Sequence, residues 1–142
     1  DNDLPYSALY SVHGAWLACD VFDANSFATM RIDEFLSDKY VSFQVSQKFP
    51  ALYKTELSIP IPQLLFHIAW GDLRHPEYHL GNPVNFKQMN HGYFEAGIAV
   101  HDILHTDLTG IGIAVFYRFG YYRLPTVIEN FSFRITVSIF GK

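Results

Sequence analysis

Phe131-Ser132-Phe133-Arg134-Ile135-Thr136-Val137-Ser138-Ile139 is the stretch that decides the fold. Large apolar residues alternate with polar ones over the whole run. In an extended chain successive side chains point to opposite faces, so the stretch reads as a strand with one greasy and one polar face. Its length of about nine residues suits a tilted strand crossing a bilayer, which needs about 9–11.

The same rule extends upstream. Ile111, Ile113, Val115, Tyr117 and Phe119 share one face, and Gly110, Gly112, Ala114, Phe116 and Arg118 the other. Glycines inside a strand mark close packing or a bend. Before them, Phe94, Ala96, Ile98 and Val100 oppose Tyr93, Glu95, Gly97, Ala99 and His101, and His105-Thr106-Asp107-Leu108 is short and polar enough for a hairpin. Val41, Phe43, Val45 and Phe49 alternate with Ser42, Gln44, Ser46 and Lys48. Ser37-Asp38 reads as a tight turn after a strand near Phe27 to Leu36. Leu57, Ile59 and Ile61 share one parity and Leu64, Phe66, Ile68 and Trp70 the other. Pro60-Ile61-Pro62 therefore marks a bulge or break, because proline cannot donate to a ladder. Residues 8 to 22 hold a weaker candidate strand. Arg74 to Asn90 and Tyr121 to Asn130 read as loops. No helical period persists over three turns, and residues 1–142 read as a single domain without a linker.

Composition narrows the classes. The 142 residues include 13 Phe, 9 Tyr and 2 Trp, 49% are hydrophobic and 17% charged, which excludes intrinsic disorder. A net charge of −4 argues against nucleic-acid binding. One cysteine excludes an intrachain disulfide and a Cys-rich zinc module. No run of about 18 apolar residues suggests a transmembrane helix. Asp1-Asn2-Asp3 lacks the basic and apolar regions of a signal peptide, so the expectation is a mature chain or a fragment. A soluble all-β domain and a membrane β-barrel remain.

Three features favour the barrel. The face opposite the aliphatic one is rich in Gly, Ala and Ser, with only scattered Glu95, Arg118 and Arg134. A soluble domain would carry many Lys and Glu on its outer face. Tyr40, Trp70, Tyr93, Phe94, Tyr121, Tyr122, Phe131 and Phe140 gather near segment ends, like the aromatic girdles of outer-membrane barrels. Short turns also alternate with longer loops. Six or seven strands are legible, and eight if residues 8 to 22 and the Pro60–Pro62 region each count. The expected fold is all-β: an antiparallel transmembrane β-barrel, or the C-terminal six to eight strands of a larger one.

Several stretches resemble one family. They are Leu4-Pro5-Tyr6-Ser7-Ala8-Leu9, His13-Gly14, Asp23, Ser26-Phe27 and Met30, then Glu34-Phe35-Leu36-Ser37-Asp38-Lys39-Tyr40-Val41-Ser42-Phe43. Tyr93-Phe94-Glu95-Ala96-Gly97-Ile98 and Gly112-Ile113-Ala114-Val115-Phe116-Tyr117-Arg118-Phe119-Gly120 continue the likeness. The chain resembles, over roughly residues 4 to 140, the C-terminal barrel portion of a Bacteroidota outer-membrane barrel family of unknown function that carries an N-terminal carboxypeptidase-regulatory-like domain. The resemblance implies fold and location, with no catalytic residues to carry over. Phe131 to Phe140 looks like the amphipathic final strand with a terminal aromatic that barrel-assembly machinery reads, with Gly141-Lys142 added after it.

Candidate chemistry is sparse. His75 and His79, and His101 and His105, have a four-residue spacing that aligns ligands only on a helix, so solvated histidines are expected and no metal or cofactor. Cys19 has no clear partner and no serine lies in a Gly-x-Ser-x-Gly turn. Asp33 and Glu34 are adjacent, which puts them on opposite faces of a strand. Glu95, Arg118 and Arg134 fall on the polar face of three consecutive strands and are expected to form a charge cluster in the barrel lumen, bracing the wall or lining a polar path. The expected role is non-enzymatic: an outer-membrane component of a transport, assembly or surface complex. Its partners would be outer-membrane lipid, the remaining N-terminal strands or other outer-membrane proteins, and the assembly machinery. The alternatives are a soluble or periplasmic β-domain that binds a small apolar ligand, and an outer-membrane hydrolase.

Overall fold

The computed structural model describes residues 10–11, 19–21, 26–31, 34–37, 39–73 and 87–139. Three short strands come first: β1 (Tyr10–Ser11), β2 (Cys19–Val21) and β3 (Leu36–Ser37). Five long ones follow: β4 (Lys39–Lys48), β5 (Ile61–Asp72), β6 (Tyr93–His105), β7 (Thr109–Phe119) and β8 (Phe131–Ile139). The long strands pair antiparallel in chain order, β4-β5-β6-β7-β8, and β2 adds to β8 in parallel. β1 and β3 form a separate antiparallel pair. Among the described residues there is no α-helix, and a single 3-10 turn, Val127–Asn130, precedes β8. The fold is all-β and the sheet is open, with β4 and β2 as its edges.

The alternation read from the sequence holds in β5, β7, β8 and β6 up to its bulge, whereas β4 is exposed on both faces. In β8, Phe131, Phe133, Ile135, Val137 and Ile139 are exposed while Ser132, Arg134 and Thr136 are buried. Register carries this rule across the sheet. Phe43 opposes Ile68, Ile68 opposes Phe94, Phe94 opposes Phe119, and Tyr117 opposes Phe131. The other face stacks Gln44, His67, Glu95 and Arg118 in one row.

The glycines of β7 have a physical cause. Register shifts between Val100 and Leu104, so His101, Asp102 and Ile103 bulge where β7 offers only Gly112. Asp102 adopts a left-handed φ of 54° there. A Cβ on Gly112 would run into the Val100 carbonyl and the Thr136 hydroxyl, and one on Gly110 into the Asp102 carboxylate.

Two expectations need correction. The strand expected near Phe27 to Leu36 does not join the wall. Residues 26–31 and 34–37 instead form a strap lying on the polar face, and only Leu36–Ser37 is strand. The segment is drawn there by side chains on β6, β7 and β8, contacts that its own periodicity does not encode. Leu57 and Ile59 are not in a strand, since residues 49–60 form a loop, and the break expected at Pro60-Ile61-Pro62 is where β5 begins. Within residues 8 to 22, where the sequence offered a weaker candidate strand, Tyr10–Ser11 pairs with β3 and Cys19–Val21 joins the sheet along β8. The Tyr121–Asn130 connection is a loop, as expected, closed by the 3-10 turn and fixed by Asn130, whose amide bonds the Leu124 N–H and the Leu124 and Thr126 carbonyls. His75, His79, Asp33 and Phe140 lie outside the described residues.

Candidate functional site

The three charges singled out in the sequence are all buried on the same face. Glu95 and Arg118 are 0% exposed and Arg134 is 3% exposed. Glu95 and Arg118 are direct register partners on β6 and β7. Arg134 sits opposite Ala114, four residues along β7 from Arg118. Burial of unpaired charge is prohibitively costly, so each must find a counter-group. The strap supplies one to each.

Glu95 reaches the strap backbone. Its Oε1 accepts from the Ala28 N–H at 3.0 Å, and its Oε2 from the Thr29 N–H at 2.9 Å and the Thr29 hydroxyl at 2.7 Å. His67 Nδ1 lies 2.8 Å from Oε1. A carboxylate has about four acceptor sites, and this set fills them. The Thr29 hydroxyl donates its only proton to Glu95, so the Tyr93 hydroxyl, 2.6 Å away, must donate to Thr29. The same logic makes His67 Nδ1 the protonated nitrogen. Arg134 closes the other side of the same peptide, donating to the Ala28 carbonyl at 2.6 Å. One residue of the strap is thus gripped from both β6 and β8.

Arg118 grips the other arm. It donates from both terminal nitrogens to Glu34, at 3.0 and 2.8 Å, in a bidentate pair. Its guanidinium lies 4.8 Å from the Tyr93 ring centroid and 5.9 Å from that of Phe35. Lys87 approaches Glu34 from the solvent side at 3.2 Å. Burial raises the Glu34 pKa, but the Arg118 hydrogen bonds and charge, the Arg31 N–H and Lys87 outweigh it, so the carboxyl sits below its ordinary value.

Apolar packing surrounds these contacts. Phe27, Met30 and Phe35 of the strap meet Ala69, Met89 and Tyr93, with Tyr122 closing the edge. Ala28 packs on Leu65, Ala99, Ala114 and Phe116. The small residues of the polar face let the strap approach the sheet closely.

Two participants escaped sequence reasoning. His67 shares the parity of Gln63 and Ala69, opposite Leu64, Phe66 and Ile68, so alternation alone assigns it to the charged face. Glu34 carries no such signal, since its partner Arg118 is 84 residues away. His101 and His105 lie on β6, where His101 Nε2 bonds Gln63 Oε1 at 2.6 Å. Among the described residues no three His, Cys, Asp or Glu side chains gather as a metal site.

The opposite face is its inverse. From Val41 across to Ile139 it carries Val, Ile, Leu, Phe, Tyr, Trp and Ala, plus Pro62, with Gln47 and Thr109 as uncharged polar residues and Lys39 and Asp72 at the rim. Ile98 is 58% and Val45 62% exposed. A groove of about 580 Å³ crosses it over Ala96, between Leu64, Phe66 and Ile98 on one side and Val115, Tyr117 and Phe131 on the other.

No family model, curated protein or solved structure matches this chain.

Proposed function

We propose that the chain forms part of the wall of an outer-membrane β-barrel, with its apolar face in hydrocarbon and its charged face towards the lumen. The observation that carries this reading is the inversion of the sheet: Ile98, Ile113, Phe133 and Val137 are exposed while Glu95, Arg118 and Arg134 are buried. Water favours the reverse arrangement by about 1.5–3 kcal/mol for each large apolar side chain left out. A continuous apolar face of this extent calls for an apolar neighbour. Lipid supplies one to all five long strands at once.

The open edges fit the same reading. Unpaired N–H and C=O groups do not persist in hydrocarbon, so a lipid-embedded wall must be completed by further strands. Those strands come from the same barrel or from a partner outer-membrane protein, and barrel-assembly machinery would insert them. The role that goes with this reading is non-enzymatic, in a transport, assembly or surface complex.

Fractionation tests the proposal. The protein should stay with membranes through high salt and carbonate, leave them only with detergent, and migrate differently on gels before and after boiling. A monomer that remains in solution without detergent would refute it. That outcome would favour the second reading, which rests on the groove over Ala96: a soluble β-domain that takes an apolar ligand there.

A further inference from the structure

We infer that the strap formed by residues 26–31 and 34–37 is a displaceable plug over the charged wall, latched by the Glu34–Arg118 pair. The inference rests on the reading of that face as a lumen. The surface between strap and wall carries charge within its apolar packing. Among Leu65, Ala69, Tyr93, Ala99, Ala114 and Phe116 the wall presents His67, Glu95, Arg118 and Arg134 to the strap, all buried. Were the strap an integral part of the sheet, apolar residues would serve as well or better, because buried ion pairs contribute little net stability over hydrophobic packing.

A polar wall does serve a segment that leaves. With the strap seated, every principal wall charge ends on it: Glu95 on Ala28 and Thr29, Arg134 on Ala28, Arg118 on Glu34. With the strap away, water takes over the same donors and acceptors. Both states therefore satisfy their polar groups, which is the requirement for two stable positions. The cost of opening falls on Phe27, Met30 and Phe35. Glu34 is the natural latch, because it joins the strap both to buried Arg118 and to Lys87, whose side chain is 52% exposed. Departure of the strap would uncover a path lined by one acid, two arginines and a histidine.

The test is thiol labelling in the folded full-length protein. In a Cys19→Ser background, Ala28→Cys places a thiol under the strap while keeping the Ala28 backbone bonds to Glu95 and Arg134. A water-soluble maleimide reports opening, and amide exchange of β6–β8 reports the wall. Glu34→Gln should raise the labelling rate at least tenfold and leave wall exchange unchanged. With Glu34 intact, labelling should still outpace the slowest β7 amides, which keeps the test decisive if Glu34→Gln fails to fold. The inference is overturned if labelling does not respond to Glu34→Gln, or if labelling and wall exchange rise together. Both readouts are made in any folded state, so they stand apart from the fractionation result: an aqueous monomer whose strap opens would sink the membrane reading alone.

Discussion

The two faces of β7 differ more than two different proteins often do. Ile111 and Ile113 stand out from the sheet about half exposed and Val115 is half-buried, and all three sit opposite apolar residues of β8. Gly112, Ala114, Phe116 and Arg118 are buried, with Arg118 held by a bidentate pair and an aromatic ring. The outer face repeats a single chemistry with little dependence on partners. The inner face depends on particular atoms of the strap. The lesson is that the outer face specifies a solvent and the inner face specifies a contact.

The largest break should come from the inner face. Arg118→Met leaves the Glu34 carboxylate buried beside an apolar side chain, and removing one member of a buried pair costs about 3–5 kcal/mol. Denaturant unfolding of Arg118→Met, Glu34→Met and the double variant gives the coupling directly, and the double should lose less than the two singles together. The same pair sets an acid limit. The folded Glu34 pKa lies below its ordinary value of 4.5, so its contribution is complete above that value and is lost as pH falls through the folded pKa. Glu34→Gln should flatten the stability profile below pH 4.5, and an unaltered profile would remove Glu34 as the cause.

The outer face should be broken by charge, and only in one solvent. Ile113→Arg puts a guanidinium on a residue 56% exposed at the middle of β7. In a bilayer this costs about 2–4 kcal/mol near the midplane. In water a surface substitution of this kind stays within about 0.5 kcal/mol. Folding titrations into lipid vesicles and in lipid-free buffer separate the two, and a neutral effect in vesicles would argue against a lipid-facing wall.

Thr29→Val sharpens the inner half of the comparison. It removes the hydroxyl between Glu95 and Tyr93 but keeps the shape and the Thr29 N–H bond. Bonds to charged groups are worth about 1.5–3 kcal/mol, and the loss should fall in that range. A loss below about 0.5 kcal/mol would mean that water replaces the hydroxyl.

How much of this was legible in the sequence follows the same division. The outer face of β7, β8 and β6 up to its bulge is written in alternation, because those side chains answer to solvent more than to particular partners. The polar face could be assigned by parity, including Glu95, Arg118 and Arg134, but their partners could not. Glu95 binds a strap 66 and 67 residues earlier, and Arg134 reaches back 106. The strap itself misled, because Phe27 to Leu36 mixes apolar and polar residues closely enough to pass for a strand. Its geometry is decided by backbone groups of Ala28 and Thr29, and every sequence position carries the same backbone.

The smallest effect distinguishes exposure from burial at a single carboxylate. Lys87 and Arg118 both bind Glu34, yet Lys87 is half in water and Arg118 is wholly buried. Exposed pairs are worth at most about 1 kcal/mol and weaken with salt. Lys87→Ala should therefore cost under about 1 kcal/mol, and the loss should shrink further in 1 M salt, while the Arg118→Met loss hardly changes. A Lys87 effect as large as that of Arg118 would mean that the latch is held from the solvent side, and the strap would then open by loss of its rim contact before its buried one.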